Sequence, residues 1–364
     1  MPDPHDTALS IVVLAAGEGT RMRSALPKVL HPICGRPMLG HVLAVADALR
    51  AGRTTLVLAP DTLDAVRARF GEGYGYAVQA ERLGTGHAVL QARGALHEQP
   101  GEVLVLYGDT PLLRPETAQA LLDLLRRTRA LAGLVSFYAD PPTGYGRVVR
   151  DAAGRVVALV EERDATPEQR AITEGNSGVM AFNAPWLWER VGRLARNPAK
   201  GEYYLTDLVA QAVAERGPGA VVALPAADPR EAWGVNDRAQ LAAAEAVMRE
   251  RLLTGLMRSG VTITDPAATY VDVGVTVGQD TILLPGTLLQ GATRVGERCV
   301  IGPHATLVDA TVGDGARVRD SVVEGATVAA GAEIGPFAWL RREFVDGKRQ
   351  MGERGATTED EGRT

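Results

Sequence analysis

Residues 10–28 read SIVVLAAGEGTRMRSALPK, and this stretch decides how the amino-terminal part of the chain folds. Ser10–Val13 is a short run rich in β-branched residues, which is typical of a buried strand. The run then breaks into Gly17 and Gly19. A strand that enters such a turn exposes successive backbone N–H groups and lets a ligand approach the backbone closely. The stretch therefore predicts a first strand followed by an anion-binding loop.

Two cationic side chains follow the turn, Arg21 and Lys28. Lysine is rare in this chain, because only residues 28, 200 and 348 are lysines among 39 lysines and arginines. A lysine acts on phosphate as a compact point charge, and backbone donors with two cations suit a triphosphate. A dinucleotide fingerprint would need a third glycine where Met22 stands, and no P-loop is present. A plain glycine-rich turn that closes a β-α unit is the alternative interpretation.

Composition places the chain among ordinary globular proteins. It has 364 residues, 46% hydrophobic and 23% charged, with a net charge of −5. Its length favours two or more domains, and its charge indicates neither nucleic-acid binding nor membrane binding. The two cysteines and six histidines form no disulfide framework and no zinc spacing. No signal-peptide core or membrane-spanning run occurs, so we expect a cytoplasmic protein.

Residues 1–236 alternate between apolar strand-like runs and helical stretches rich in Ala, Leu and Arg. The strand candidates are Ile11–Ala15, Thr55–Ala59, Val103–Tyr107, Gly133–Phe137, Val156–Glu161 and Gly178–Phe182. The helical candidates include His41–Arg50 and Thr117–Arg129. This alternation predicts an α/β domain with a mostly parallel sheet, in which ligands bind beyond the carboxyl ends of the strands.

Asp109 follows the predicted strand Val103–Tyr107 and so stands at such a carboxyl end. A carboxylate in this place suits Mg²⁺, which prefers oxygen ligands and uses one or two protein groups together with phosphates. An aspartate that begins the turn before Pro111 explains the residue equally well.

The remainder of the chain changes period. Asp237 and Gln240 predict the capped start of a linker helix within residues 237–262. An apolar residue then recurs about every six positions, with two slips: Val277, Leu283, Leu289, Val295, Ile301, Leu307, Val312, Val318, Val322, Val328 and Ile334. Such a period predicts a parallel β-helix, which we expect over residues 263–340. Residues 341–364 contain few apolar residues, so we expect a disordered tail.

Several ordered motifs together resemble one enzyme family. They are Leu14–Met22 with Leu26–Leu30, Gln79–Ala88, Tyr107–Asp109, Asp140–Arg147, Gly201–Asp207, Gly234–Asn236 and the six-residue repeat. This set is similar to the bifunctional N-acetylglucosamine-1-phosphate uridyltransferase/glucosamine-1-phosphate acetyltransferases. The resemblance implies a Rossmann-like nucleotidyltransferase domain with a mostly parallel sheet. It also implies a linker helix, a short left-handed parallel β-helix of hexapeptide repeats, and a homotrimer formed through that β-helix.

The resemblance also implies a role for each matching position. Uracil and ribose would be held by Leu14, Ala15, Ala16, Gly17, Gln79, Gly84 and Thr85. An amide such as that of Gln79 can pair with both the donor and the acceptor of the uracil edge. Further substrate contacts would come from Tyr107, Gly108 and Asn236. The N-acetylglucosamine would be held by Gly146, Glu161 and Asn176. Arg21 and Lys28 would be the catalytic cations on the phosphates, and Asp109 and Asn236 would bind Mg²⁺.

The implied substrates are UTP and N-acetylglucosamine 1-phosphate. The sequence departs from the family after Ile334–Ala338, where Trp339–Glu343 replaces its continuation into further coils. No residue matches the acetyltransferase residues, so we expect that this second activity is lost. Full bifunctional activity is the alternative. Three further hypotheses stay open: another sugar or nucleobase specificity, a non-catalytic sugar-nucleotide-binding scaffold, and a nicotinamide dehydrogenase.

Overall fold

The computed structural model describes residues 9–198, 201–346 and 348–349, with no side chains described for the last two. The chain forms two compact units. The first holds residues up to Pro32 and Pro37–Ala244, and the second holds Ile33–Arg36 and the residues from Glu245 onward. In the described part of the chain, no helix combines the length and the apolar character needed to cross a membrane.

A nine-stranded sheet forms the centre of the first unit. Its strands are β1 Leu9–Ala15, β4 Arg53–Leu58, β5 Gly75–Val78, β6 Glu102–Tyr107, β7 Ala132–Tyr138, β8 Arg147–Arg150, β9 Val156–Val160, β10 Glu174–Asn183 and β11 Val221–Pro225. Two short strands, β2 Pro32–Ile33 and β3 Arg36–Pro37, pair only with each other. The strand order is β11-β7-β10-β6-β1-β4-β5, and the hairpin β8–β9 joins through β8 to β10. The pairs β1–β4, β1–β6, β4–β5 and β7–β11 are parallel, whereas β10 is antiparallel to β6, β7 and β8. This confirms the mostly parallel sheet.

The central strands are buried on both faces. Alternate residues of β1 enter two hydrophobic clusters: Ile11 and Val13 lie in one, and Val12 and Leu14 in the other. Successive side chains of a strand point to opposite faces, so helices must cover both sides. These helices are α1 Met38–Ala48, α2 Leu63–Phe70, α3 Thr85–Gln91, α4 Arg93–Leu96, α5 Pro115–Thr128, α6 Pro167–Arg170, α7 Ala184–Arg190 and α8 Asp207–Arg216.

Helix α9, Arg238–Arg258, begins as the sequence predicts. The Asp237 carboxylate accepts a hydrogen bond from the backbone N–H of Gln240 at 2.8 Å. The Gln240 side chain reaches back, but it accepts from the N–H of Asn236 at 2.7 Å rather than from that of Asp237. The helix start therefore holds the backbone of Asn236 as well.

Short strands in the second unit form three parallel sheets. The strands are β12 Thr262–Ile263, β13 Tyr270–Val271, β14 Thr276–Val277, β15 Ile282–Leu283, β16 Leu288–Gln290, β17 Arg294–Val295, β18 Val300–Ile301, β19 Thr306–Val308, β20 Thr311–Val312, β21 Arg317–Val318, β22 Val322–Glu324, β23 Thr327–Val328, β24 Glu333–Ile334, β25 Trp339–Arg341, β26 Phe344–Val345 and β27 Lys348–Arg349. Every third strand belongs to the same sheet. This arrangement is consistent with the predicted left-handed parallel β-helix.

Two details of the predicted repeat are wrong. In β22 the inward residue is Val323, which is fully buried, and the predicted Val322 is only half-buried and pairs with Trp339. The coils also continue past the predicted end at residue 340, because Phe344–Val345 pairs with Thr327–Val328 and Lys348–Arg349 pairs with β24. Only the inward residue of a coil strand needs to be apolar, so exposed Trp339 and Phe344 obscured the pattern while Val345 kept it. The predicted disorder of the tail from residue 350 lies outside the described residues.

Candidate active site

A cavity of about 240 Å³ lies in the first unit beside the turn that follows β1. It is lined by residues at the ends of β1 and β6, in the turns after β1, β5 and β6, in α3 and in one later loop: Leu14, Ala16, Gly17, Gln79, Arg82, Gly84, Thr85, Ala88, Tyr107, Asp109 and Glu202. Eight of these were predicted from the sequence. The predicted Ala15 and Gly108 do not line it, because Ala15 is buried in the core and Gly108 packs beside it.

A second cavity of about 280 Å³ shares one wall with the first. Gly84, Thr85, Tyr107 and Glu202 line both cavities. The residues predicted to hold a sugar, Gly146, Glu161 and Asn176, line the second one together with Tyr145, Arg163, Ser177, Tyr204 and Thr206. The structure thus brings the two predicted residue groups to adjoining spaces.

The ammonium of Lys28 joins the predicted metal ligands. Its Nζ lies 2.5 Å from Oδ2 of Asp109 and 3.1 Å from Oδ1 of Asn236. The Lys28 side chain is only 9% exposed, so the contact is largely withdrawn from water. The backbone N–H of Val235 also donates to the carbonyl of Asp109 at 2.9 Å. Three chain segments that are remote in sequence therefore meet at one cation.

Glycine at position 19 makes room for this lysine. Gly19 has φ +64°, and a Cβ atom built on it would lie 2.6 Å from Cβ of Lys28. Lys28 itself begins a short 3-10 helix, Lys28–Leu30. Gly17, by contrast, has no atom within 4 Å of a built Cβ, so its backbone faces open space. The two glycines of the loop thus do different things: Gly19 permits close packing and Gly17 leaves the backbone accessible.

Arg21, the second predicted cation, does not line either cavity. It lies exposed on the short 3-10 helix Thr20–Met22. Arg82, which sequence reasoning left unassigned, does line the first cavity. It donates to the carbonyl of Ala16 at 2.9 Å and to the carboxylate of Glu18 at 3.0 Å. Its position inside the Gln79–Ala88 motif was the signal that could have found it.

The amide of Gln79 is already partly engaged. Its Nε2 lies 3.0 Å from the carbonyl oxygen of Gly84 and 3.1 Å from Nδ1 of His87. An amide nitrogen carries two hydrogens, and these contacts account for both. Only the amide oxygen is left for a ligand, so Gln79 can accept from the donor of the uracil edge but has no free hydrogen for the acceptor.

Buried side chains hold the floor of the second cavity. Arg147 is 2% exposed and donates to the carbonyls of Pro142 and Tyr145, while its guanidinium also pairs with Glu162. The hydroxyl of Tyr145 donates to the carbonyl of Ala232 at 3.2 Å. Arg147 therefore shapes the loop rather than binding a ligand.

Strand β10 presents Asn176 at an irregularity. Its pairing with β7 shifts register between Asn176 and Met180, and Gly178 has φ +91° with its Cα facing the ring of Tyr107. The side-chain oxygen of Asn176 accepts from the N–H of Gly178 at 3.0 Å. Asn176 is therefore held by the bulge while it lines the cavity.

Burial raises the pKa of two groups that face the cavities. Desolvation is the main cause for Glu161, and its only opposing hydrogen bond of note comes from the Thr206 hydroxyl at 3.3 Å. Desolvation likewise raises the pKa of Tyr107, with a further contribution from the charges of Glu161 and Asp109. Groups with such perturbed pKa values cluster at functional sites.

The residues fit a divalent metal in one place. Within the described residues, no group of three or more His, Cys, Asp or Glu side chains could hold a metal ion. Asp109 and Asn236 do supply two converging oxygen atoms. Mg²⁺ commonly needs no more than one or two protein oxygens when phosphates supply the others.

Comparison with known proteins identifies relatives of this chain. Residues 11–177 match the MobA-like NTP transferase domain. The bifunctional protein GlmU of Brevibacillus brevis is 44% identical over 330 residues, which cover 91% of this chain and 71% of that protein. The GlmU of Trichlorobacter lovleyi is 47% identical over 334 residues, covering 91% and 72%. The GlmU of Nocardia farcinica is 46% identical over 365 residues, covering 98% and 72%.

Replacing Gly19 by alanine should destabilise the loop around Lys28. The new methyl group would meet Lys28, and a left-handed backbone costs an L-residue roughly 1–2 kcal/mol. We expect Gly19→Ala to lower the free energy of unfolding by about 2 kcal/mol, measured by urea denaturation. Gly17→Ala is the matched control and should change it by less than about 0.5 kcal/mol. Equal losses in the two variants would contradict the packing role of Gly19.

Replacing Glu161 by glutamine should stabilise the protein at neutral pH. Burial raises the pKa of Glu161 in the folded state, so its ionised form weakens the fold, and this loss develops as the pH rises through the raised pKa. Glutamine keeps the acceptor for Thr206 without the charge. We expect the gain at pH 7.5 to vanish below about pH 4.3, the ordinary pKa of glutamate, in urea titrations at both pH values. A gain that is the same at both would exclude this cause.

Proposed function

The chain belongs to the family of the bifunctional GlmU proteins, and we propose on this basis that it makes UDP-N-acetylglucosamine and pyrophosphate from UTP and N-acetylglucosamine 1-phosphate. One observation carries the proposal. A cavity edged by the glycine loop and a cavity edged by Gly146, Glu161 and Asn176 share a wall at Gly84, Thr85, Tyr107 and Glu202. Two ligands bound there would meet at this wall.

The first cavity suits the nucleotide. The open backbone at Gly17 offers N–H donors, and the ammonium of Lys28 stands beside Asp109, which lines the cavity. Backbone donors and a lysine are a common combination for binding phosphates. Arg82 adds a cation that lines the cavity. Arg21 adds a second cation, which is exposed and directly follows the glycine loop in the sequence. The oxygen of Gln79 would contact the base.

The second cavity suits the amino sugar. It combines a half-buried carboxylate, an amide and a tyrosine ring, from Glu161, Asn176 and Tyr145. A carboxylate accepts hydrogen bonds from sugar hydroxyls, and an amide can both accept from and donate to the hydroxyls and the acetamido group. The carboxylate of Glu161 has few donors of its own, so a hydroxyl-rich ligand would satisfy it.

The reaction requires positioning and charge neutralisation. A phosphate oxygen of N-acetylglucosamine 1-phosphate would form a bond to the α-phosphorus of UTP. The bond from that phosphorus to the bridging oxygen would break, and pyrophosphate would leave with the electron pair. The nucleophile is already anionic, so no proton needs to be transferred. Lys28, Arg21 and the loop N–H groups would hold and neutralise the phosphates, which is the larger part of such catalysis.

Asp109 and Asn236 would hold Mg²⁺. When bound there, the metal would neutralise phosphate charge alongside Lys28. In the structure the Lys28 ammonium already contacts both oxygens, so Lys28 would turn from Asp109 toward the phosphates as the substrates bind.

The test is release of pyrophosphate from UTP and N-acetylglucosamine 1-phosphate. Other nucleoside triphosphates and sugar 1-phosphates serve as competitors for the alternative specificities. Absence of turnover, with UDP-N-acetylglucosamine still bound, would favour the scaffold hypothesis. The loss of acetyl transfer and the homotrimer stay predictions, tested by acetyl-coenzyme A consumption with glucosamine 1-phosphate and by the mass in solution.

Lys28→Ala and Asp109→Ala should each lower kcat by about 10² to 10³, because each removes preorganised charge from the reacting phosphates. The measurement is initial rates of pyrophosphate release at saturating substrates. Arg155→Ala, which removes an exposed ion pair with Asp151 outside both cavities, is the control and should keep the normal rate. A folded Lys28→Ala variant with near-normal kcat would remove Lys28 from the mechanism.

Lys28→Met should raise the affinity for a divalent cation when no nucleotide is present. It removes the ammonium 2.5 Å from Asp109 and leaves the carboxylate without its counter-charge. We expect Mn²⁺ to bind about tenfold more tightly, as measured by electron paramagnetic resonance of free Mn²⁺. The reason is that the cation no longer has to displace the charged hydrogen bond from Lys28 to Asp109. The double variant Lys28→Met/Asp109→Asn should lose the gain. Unchanged Mn²⁺ affinity in Lys28→Met would show that the lysine and the cation do not compete.

A further inference from the structure

We propose that His87 is a positioning residue that fixes the orientation of the Gln79 amide and thereby makes the nucleotide cavity select a base with a ring N–H. This inference rests on the proposed function, because it deepens the role of Gln79 at the uracil. His87 lines neither cavity, so it acts through Gln79 rather than on the ligand.

The nitrogen of the Gln79 amide faces the protein and the oxygen is left toward the cavity. The amide atom at 3.0 Å from the carbonyl oxygen of Gly84 must be the nitrogen, because a carbonyl oxygen only accepts. The second hydrogen of that nitrogen is directed to Nδ1 of His87 at 3.1 Å. Gln79 is 4% exposed, so water cannot easily replace either partner.

The contact with Gln79 determines which ring nitrogen of His87 carries the hydrogen. Nδ1 can accept from Gln79 only when it carries no hydrogen, so the ring proton lies on Nε2. Nε2 of His87 lies 3.1 Å from Nε2 of Gln91. The Gln91 nitrogen also donates to the backbone carbonyl of His87 at 3.0 Å. Two donors cannot form a hydrogen bond with each other. Gln91 is half-buried and can turn to water, whereas Gln79 cannot, so Gln79 determines the tautomer.

The ring is also held in place from its side. His87 stacks on Tyr203, with ring centroids 6.3 Å apart and an angle of 29° between the planes. Tyr203 is itself tied to the motif, because its carbonyl accepts from the N–H of Gly86 at 2.8 Å and its N–H donates to the carbonyl of Leu83 at 2.7 Å. The Nδ1 lone pair therefore has a fixed position.

The consequence is an amide that offers only an acceptor to the cavity. Both hydrogens of Gln79 are engaged, and none of the residues described by the structure donates to its oxygen. Uracil presents a ring N3–H to such an acceptor, whereas the N3 of cytosine is itself an acceptor. A site built around one hydrogen bond rejects the analogue that lacks it, since a buried polar group is then left unpaired.

Equilibrium binding of UTP and CTP, measured separately by calorimetry, tests the proposal in four proteins. His87→Phe keeps a ring against Tyr203 but removes the Nδ1 acceptor. His87→Asn places a carbonyl oxygen near the position of Nδ1. Gln91→Ala is the matched control, because it removes the amide on the other side of the same ring. The ratio of the two Kd values within one protein is insensitive to a fraction of misfolded chain, which would lower the measured stoichiometry for both nucleotides equally.

We expect His87→Phe to weaken UTP binding about tenfold with a much smaller change for CTP, so that the preference for UTP falls by nearly that factor. His87→Asn should restore most of the preference, and Gln91→Ala should keep all of it. An unchanged UTP-to-CTP ratio in His87→Phe, or equal losses in His87→Phe and Gln91→Ala, would overturn the proposal.

The outcome is distinguishable from failure of the proposed function. If the unmodified protein releases no pyrophosphate, the transferase proposal fails, yet the two Kd values still report on His87. If turnover is normal and His87→Phe leaves the ratio of kcat/KM for UTP over CTP unchanged, the transferase proposal stands and the role of His87 is refuted.

Discussion

The contact of Lys28 with Asp109 and Asn236 is the interaction on which the site depends. It joins the loop after the first strand to residues 81 and 208 positions further along the chain. An ion pair that is mostly withdrawn from water adds little net stability, because desolvation offsets much of the attraction. Its value here lies in position. The pair brings a cation, a carboxylate and an amide oxygen to one point, and Gly19 provides the space that the lysine needs.

The parts of the fold that could be predicted are those in which all residues of an element have the same surroundings, so that they share one residue type. Ile11–Ala15 and Val103–Tyr107 are buried on both faces, so each is an uninterrupted apolar run that indicates a strand. Strand β10 was predicted only over its apolar half, because Glu174–Ser177 are polar residues held by the bulge and by Ser136 and Arg150. Val322 and Val323 show the same limit in the second unit. Two adjacent valines leave the register undecided, and only the packing of the coil selects the inward one.

The site residues divide in a similar way. Residues in the turn directly after a strand, such as Gly17, Gln79 and Asp109, could be placed from the motif and the strand that precedes it. Arg82 and Glu202 lie inside matched motifs, but the motifs do not show that these side chains reach the cavity, because the course of each loop depends on tertiary contacts such as that between Gly86 and Tyr203. The hydrogen bonds of the Gln79 side-chain nitrogen could not be predicted from the sequence either. They depend on the path of the chain between Gly84 and His87, which residue types do not encode locally.

The two cavities differ in the charges that line them. The cavity beside the glycine loop offers Arg82 and the open backbone of Gly17, and Lys28 pairs with the carboxylate of Asp109, which suits the proposed nucleotide. The other cavity keeps a carboxylate, that of Glu161, in surroundings that raise its pKa and give it one long hydrogen bond from Thr206. Such a group weakens the folded protein, and natural proteins tolerate such weakness where activity requires it. The missing donors are what the hydroxyl groups of a bound sugar would supply. The deficit that costs stability in the free protein would therefore become a source of affinity for the hydroxyl groups of the proposed sugar phosphate.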